Sequence, residues 1–234
     1  MGDPGVNLLY RWPEAAQFGR RIPKEKFYEH GTVPAAVREK FVAEVRRITW
    51  AYKLAEATVN LPGSDTVPEI QVFRIDAKGA DVTGPVQVAI AVAAFIALAV
   101  FAIPFPIVFE INRVQGGAEH TRMVAAHKQL VSGTPKLSAY YSTGWQPADT
   151  GRQPLPTAIT LPVLYTALLE PLTPVTVRPG EDMSEVAGRL HAAGKLEREI
   201  AALERKLRTE PQFNRKVELR RILKTKQAEL DSLR

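Results

Sequence analysis

The sequence predicts an α+β protein, with a small, mostly antiparallel sheet, covering helices and a C-terminal antiparallel helical hairpin. Two observations support this fold class. One amphipathic segment of helical period is followed by several short segments rich in β-branched and aromatic residues, which is typical of a sheet with helices on one face. From Met183 onward the pattern changes to leucines at heptad spacing, interrupted once by a proline.

The first helix is predicted over residues 34–54, because apolar residues recur there at intervals of three and four. These positions are Val37, Phe41, Val45, Ile48 and Tyr52, and charged residues occupy the other face. A turn follows at residues 61–65. Alternation of apolar residues then predicts a strand over residues 69–76.

Residues 82–109 contain no charged residue, and two structures compete for them. A run of more than ~18 apolar residues is long enough to cross a membrane, which makes residues 86–103 a candidate single span. However, Pro104 and Pro106 end a helix by Ile103, and the flanks lack the aromatic and basic residues that anchor a span. We therefore expect a buried helix, with the membrane span as the alternative.

Three more strands are predicted over residues 107–113, 122–130 and 138–145. Gly116 and Gly117 form the loop that joins the first two of these strands as a hairpin. A short apolar helix is predicted over residues 161–172, after a proline-rich loop.

The C-terminal segment contains two leucine-rich seams, separated by Pro211. Two helices joined by so short a turn fold back on each other as an antiparallel hairpin, with Lys226 at an inward position. The chain therefore divides into a predicted α+β domain with an N-terminal arm, residues 1–178, and a basic hairpin, residues 179–234.

Composition places the chain among folded globular proteins, since 45% of its 234 residues are hydrophobic and 24% are charged. It has no cysteine, which excludes disulfides and thiolate zinc sites and fits a reducing compartment. The N-terminus lacks the pattern of a secretory signal sequence. We therefore expect a cytoplasmic location.

The net charge of +6 lies in the C-terminal segment, because residues 189–234 hold thirteen Lys or Arg and seven Asp or Glu. Such a segment predicts contact with nucleic acid or with an acidic partner, and a solvated helix face is the alternative. The candidate binding residues there are Arg205, Lys206, Arg208, Gln212, Asn214, Arg215, Lys216, Arg220 and Arg221.

Arg21 and Lys24 form a second basic group, close to the aromatic residues Phe27 and Tyr28. Cations beside aromatic rings can hold phosphate and stack on a base. The alternative is an N-terminal arm that packs on the domain.

The strongest enzymatic hypothesis is a magnesium-dependent nuclease that uses Asp65, Asp76 and Lys78. Two carboxylates can hold the ion and the lysine can orient the attacking water. The motif is short and common, and Asp76 can also simply end a strand. The four histidines are far apart and no phosphate-binding glycine loop occurs, so we expect no metal site and no small-molecule cofactor.

Six segments, in order along nearly the whole chain, resemble a bacterial family catalogued as domain of unknown function 4391. They are RIPK (21–24) with FY (27–28), RITWAYKL (47–54), EIQVF (69–73), IPFPI (103–107), YYSTGW (140–145) and QFNRKVE (212–218).

The resemblance implies an accessory role, because members of this family are often encoded beside DNA helicase and methyltransferase genes in restriction-like or antiphage islands. It implies no catalytic residues, since the family has no settled activity. We therefore expect a non-catalytic subunit of such a defence complex. Its basic hairpin would contact a protein partner, the backbone of double-stranded DNA without sequence preference, or both. The nuclease and the single-span membrane protein remain the alternatives.

Overall fold

The computed structural model describes residues 9–27, 35–78, 105–131, 134–173, 177–178 and 180–233. The chain divides into two compact units, Met1–Pro174 and Val175–Arg234. The first unit contains a seven-stranded sheet with short helices, and the second contains two long helices. The predicted fold class, α+β with a C-terminal helical hairpin, is confirmed.

Six strands lie side by side in chain order: β1 (Gln17–Arg21), β2 (Val45–Ala55), β3 (Glu69–Ala77), β4 (Ile107–Gln115), β5 (Ala118–Val131) and β6 (Thr134–Ser142). A two-residue strand, β7 (Gln146–Pro147), pairs with β5. Neighbouring strands are antiparallel, except that β3 and β4 are parallel. A parallel pair needs a long crossover connection, and residues 78–106 supply it.

The strands predicted at 69–76, 107–113 and 122–130 are present, and Gly116 and Gly117 turn the hairpin with φ of +61° and +80°. Positive φ at both central residues of such a turn favours glycine. The strand predicted at 138–145 begins and ends earlier than expected, and β1 was not predicted.

The helices are α1 (Ala35–Glu44), α2 (Glu56–Val59), α3 (Leu161–Leu169), α4 (Met183–Thr209) and α5 (Phe213–Leu233). The predicted short helix at 161–172 corresponds to α3 and a following 3-10 turn, Glu170–Leu172. The buried helix and the alternative span at 86–103 lie outside the described residues. Among the helices that the structure describes, none is long and apolar enough to cross a membrane.

The helix predicted over residues 34–54 is wrong in its second half, because α1 ends at Glu44 and the chain continues directly as β2. The eleven residues of β2 pair with nine of β3 through two irregularities in register, near Arg46 and Ala51. A bulge shifts the side chains that follow it to the other face. The buried residues of β2 therefore fall at every third position and imitate a helical period: Val45, Ile48, Ala51 and Leu54.

One face of the sheet, called here the apolar face, carries a hydrophobic core. Alternate residues of each strand point to this face. Phe41 of α1 packs on it, together with Val45, Ile48, Phe73, Ile75, Ile107, Phe109, Ile111 and Val124. Trp50 and Trp145 lie partly buried at the margin of this core.

The second unit is the predicted antiparallel hairpin of α4 and α5. Its core consists of Ala193, Leu196, Ile200 and Leu230, with Leu223 and Leu233 packed against them. Lys226 occupies an inter-helix position, since its Nζ lies 2.9 Å from Oε2 of Glu199 on the other helix. The hydrogen bond between them lowers the pKa of Glu199 and raises the pKa of Lys226.

Arg189 and Glu181 close the open end of the hairpin with a bidentate ion pair. Nε and Nη2 of Arg189 donate to the two carboxylate oxygens of Glu181 at 2.8 and 2.6 Å. Nη1 of Arg189 also donates to the carbonyl oxygen of Leu233, at the C-terminal end of α5. The hydrogen bonds from Arg189 outweigh burial and lower the pKa of Glu181 below its ordinary value.

Because the pKa of Glu181 is lower in the folded chain than in the unfolded one, the pair stabilises the hairpin fully above the ordinary carboxyl pKa. That stabilisation is lost as the pH falls through the folded value. We expect the free energy of unfolding, measured with urea from neutral pH downward, to decline less steeply in Glu181→Gln than in the wild type. Arg189→Gln should flatten the profile in the same way. An unchanged pH profile in both variants would contradict this role.

Candidate functional site

The two central strands carry nearly the same five-residue sequence in the same register. VFRID (72–76) of β3 lies parallel to VFEIN (108–112) of β4, so that each residue faces its counterpart. Phe73, Ile75 and their counterparts belong to the apolar face. The polar residues alternate with them and therefore share the opposite face, called here the polar face: Arg74, Asp76, Glu110 and Asn112.

Glu110 is the centre of the polar face. Its carboxylate is 1% exposed and accepts hydrogen bonds from three side chains. Trp12 Nε1 donates to Oε1 at 2.7 Å, Arg152 Nη1 donates to the same oxygen at 2.5 Å, and Arg74 Nη2 lies 3.3 Å from Oε2. A buried carboxylate is stable only when its charge and lone pairs are met in this way.

The arginines around Glu110 also hold backbone in place. Arg152 Nη1 donates to the carbonyl oxygen of Tyr10, which lies in the N-terminal segment that carries Trp12. Burial lowers the pKa of Arg74, but attraction and hydrogen bonding to Glu110, with a smaller contribution from Tyr52, outweigh it and raise that pKa above its ordinary value. Glu110 therefore ties the N-terminal segment, the Arg152 loop and β3 to one point.

Asp76 continues the polar face toward the end of the sheet. Its carboxylate accepts from Arg47 Nε at 2.7 Å and from Asn112 Nδ2 at 3.2 Å. The side chain of Asn112 accepts in turn from Thr121 Oγ1 at 2.9 Å. These four residues form a hydrogen-bonded ladder across β2, β3, β4 and β5, so Asp76 is a structural carboxylate with both oxygens engaged.

The structure does not assemble the nuclease cluster predicted from Asp65, Asp76 and Lys78. Asp65 is exposed in the loop that leads into β3, whereas Asp76 is near its far end. The strand between Glu69 and Asp76 spans about 23 Å at ~3.3 Å per residue. Among the described residues, no group of three or more histidine or carboxylate side chains could hold a metal ion.

Lys78 binds the C-terminal end of α1, and Lys24 binds the residue that directly follows it, the first of β2. Lys78 Nζ donates to the carbonyl oxygen of Val42 at 2.8 Å, and Lys24 Nζ donates to that of Val45. Cations stabilise a helix C-terminus through its free carbonyl groups and its dipole. Burial lowers the pKa of Lys24, and the charge of Lys78 lowers it further. Arg21 is exposed on the edge strand β1.

The candidate cations of the hairpin lie together in its distal half, residues 203–224, which includes the turn. This half carries eight Lys or Arg and three Asp or Glu. Residues 183–202 and 225–233 together carry four Lys or Arg and five Asp or Glu. In the described chain, Arg215 is the one distal cation within ion-pair distance of a carboxylate, Glu210, at 3.7 Å. The other seven distal cations are Arg205, Lys206, Arg208, Lys216, Arg220, Arg221 and Lys224.

At the start of α5, as at any helix N-terminus, the free backbone N–H groups form a position that favours an anion. The carboxylate of Glu210 accepts from the backbone N–H of Gln212 at 3.1 Å and so occupies that position. Asn214 is exposed on the first turn. Phosphate contact at this end therefore depends on the arginine and lysine side chains.

The polar face around Glu110 was not predicted from the sequence, although two signals were present. Glu110 is the one charged residue in a strand segment that is otherwise buried and apolar. The repeat of VFRID in VFEIN also pairs an arginine with a glutamate when the strands run parallel. Neither signal identifies Trp12 or Arg152, which reach Glu110 from segments distant in the sequence.

Replacing Glu110 with alanine leaves Arg74 and Arg152 without their common counter-ion and Trp12 without its acceptor. We expect Glu110→Ala to lower the free energy of unfolding by about 3 kcal/mol. This value is at the lower end of the range for removing one partner of a buried ion pair, because both arginines are partly exposed. Glu119→Ala removes an exposed carboxylate from the neighbouring strand and serves as the control. Equal urea midpoints for the two variants would show that the network contributes little.

Comparison with known proteins agrees with the resemblance of the six segments. A family model described as Domain of unknown function (DUF4391) matches residues 11–230 and so covers the polar face and the basic half of the hairpin. No curated protein and no solved structure matches the chain. Because the match extends over nearly the whole sequence, the chain belongs to the family described as Domain of unknown function (DUF4391).

Proposed function

We propose that this protein is a non-catalytic binding subunit whose distal hairpin half, residues 203–224, contacts the phosphate backbone of double-stranded DNA. The observation that supports the proposal is the separation of charge along the hairpin. Eight cations against three carboxylates lie in the distal half, while the remainder carries a slight excess of acid. The open end therefore does not neutralise the basic end.

One face of α5 is well suited to such a contact. At about 100° per residue, Phe213, Val217, Arg220, Arg221 and Lys224 fall on the side opposite the inward leucines. Long cationic side chains on one helix face reach neighbouring phosphates without reading bases. Binding of this kind is independent of sequence and is driven by the release of counterions from the DNA.

The exposed apolar residues at the start of α5 support a second contact, with a protein. Phe213 is 74% exposed and Val217 is 50% exposed. An aromatic and an aliphatic residue beside arginines are the composition of an interface centre. We propose that this patch docks on a helicase or methyltransferase subunit of a bacterial defence complex, in line with the setting that the family resemblance implies.

The two alternatives have less support than the binding subunit. A nuclease centred on Asp76 requires a carboxylate free to hold magnesium, whereas Asp76 is engaged by Arg47 and Asn112 and Asp65 lies beyond the other end of β3. The single-span hypothesis concerns residues 86–103, which lie outside the described residues.

Neutralising two cations in the distal half should weaken DNA binding in a salt-dependent way. The binding constant K is measured by fluorescence anisotropy with a short duplex of random sequence at several salt concentrations. For Arg220→Gln with Arg221→Gln we expect the magnitude of the negative slope of log K against log salt to decrease by about 1.8, at ~0.9 per phosphate contact. Lys195→Gln with Arg198→Gln removes the same charge from exposed positions of α4 outside the distal half. Equal losses in both double variants would show that only net charge matters, and would overturn the proposed contact.

The apolar patch is tested by co-purification of tagged protein expressed from its own gene cluster. We expect Phe213→Ser with Val217→Ser to lose a co-eluting helicase or methyltransferase subunit and to keep the salt slope for DNA. Ile222→Ser is the control, because Ile222 is also exposed but lies nine positions from Phe213, on the other side of α5. Retention of the subunit by the Phe213 and Val217 variant would contradict the docking surface.

A further inference from the structure

Two arginines of the sheet surround the indole ring of Trp145. The guanidinium carbon of Arg113 lies 3.9 Å from the ring centroid and that of Arg122 lies 5.4 Å from it. Arg113 is near the end of β4 and pairs with His120 of β5. Arg122 follows two residues after His120 on the same strand. Trp145 follows β6 and packs at the margin of the apolar core. Three segments therefore bring two positive charges to one aromatic ring.

Neither arginine has the carboxylate partner that three other arginines of the first unit have. Arg47, Arg74 and Arg152 each contact a carboxylate, whereas within the described chain no carboxylate lies within ion-pair distance of Arg113 or Arg122. The Nε atoms of both are buried and lack a hydrogen-bond partner in the same part of the chain. A buried donor without an acceptor is costly, and two like charges on one ring add repulsion.

Burial lowers the pKa of both arginines, and the charge of Arg113 lowers the pKa of Arg122 further. These shifts agree with the geometry, in which the described residues place no carboxylate within ion-pair distance of either guanidinium group. Stacking on the indole compensates in part, since cations are attracted to the face of a tryptophan ring. Both residues and Trp145 keep part of their surface exposed, so an external group can reach them.

We propose that Arg113, Arg122 and Trp145 form a binding site for a phosphate group. Guanidinium groups match the oxygens of phosphate in bidentate fashion, and two of them supply donors for one tetrahedral anion. The ring holds both arginines in place and restricts their rotamers. This site is separate from the proposed DNA contact, because it uses only residues of the first unit and does not depend on the hairpin.

The proposal is tested with the full-length chain and inorganic phosphate, at constant ionic strength maintained with chloride. We expect a saturable change in tryptophan emission that Trp145→Phe removes, since Trp145 is the indole that contacts both arginines, whereas Trp12 donates to Glu110 and Trp50 lies on β2. Arg113→Gln with Arg122→Gln should raise the dissociation constant at least ten-fold. Arg20→Gln, an exposed arginine on the opposite edge strand, is the matched control and should bind phosphate as the wild type does.

Two results would overturn the site. One is the absence of a saturable phosphate effect over chloride in the wild type, which needs no variant and does not depend on how a variant folds. The other is phosphate binding of equal strength in the double variant, with its fold verified by circular dichroism. A negative result in the DNA-binding test would not overturn this phosphate site, since the hairpin variants keep Arg113 and Arg122.

The source of the phosphate group is distinguished by competition. A nucleoside monophosphate that displaces inorganic phosphate more effectively than a short oligonucleotide indicates a small phosphate ester as the ligand. The opposite order, measured in the Arg220→Gln with Arg221→Gln background so that the hairpin contributes less, indicates a nucleic-acid backbone. Either order supports a phosphate site at Arg113 and Arg122, and competition by neither overturns it.

Discussion

The buried carboxylate of Glu110 constrains everything that packs on the polar face of the sheet. It is 1% exposed in the middle of β4, where an unpaired charge would be strongly destabilising. Three segments distant in the sequence supply its partners, Trp12, Arg74 and Arg152. Each of these segments is therefore held at the centre of the sheet by the same carboxylate, and Arg152 also fixes the backbone at Tyr10.

Three groups of cations in the described chain lie in different environments, and the difference determines what each group can do. Arg74, Arg152 and Arg47 pair with buried carboxylates. Lys78 donates to a carbonyl oxygen near the end of α1, and Lys24 donates to that of the first residue of β2. The distal cations of the hairpin are exposed, except that Lys216 is half-buried. Apart from Arg215, they have no carboxylate within ion-pair distance in the described chain. Arg113 and Arg122 are half-buried on a tryptophan ring. Among the described residues, Arg215 is the one cation of the last two environments with a carboxylate within ion-pair distance, and this is why both environments are proposed to bind phosphate groups.

The sequence signals failed where two physical effects produced the same pattern. In β2, irregular register puts buried residues at every third position, and this spacing is also that of an amphipathic helix. The β-branched and aromatic residues from Ile48 to Tyr52 favoured the strand. The acid-x-lysine spacing of Asp76 and Lys78 likewise resembled a catalytic motif, but the acid completes a cross-strand ladder and the lysine caps a helix.

By itself, the sequence determined the fold class, the central strands, the glycine turn, the helical hairpin and the basic character of that hairpin. These follow from local periodicity, turn chemistry and composition, which are properties of neighbouring residues. Only the tertiary structure decided which charges are neutralised, because Glu110 meets Trp12 and Arg152 across 98 and 42 positions of the chain. The same holds for Trp145, which meets Arg113 and Arg122 only once β4 and β5 are paired and the chain that follows β6 returns beside them.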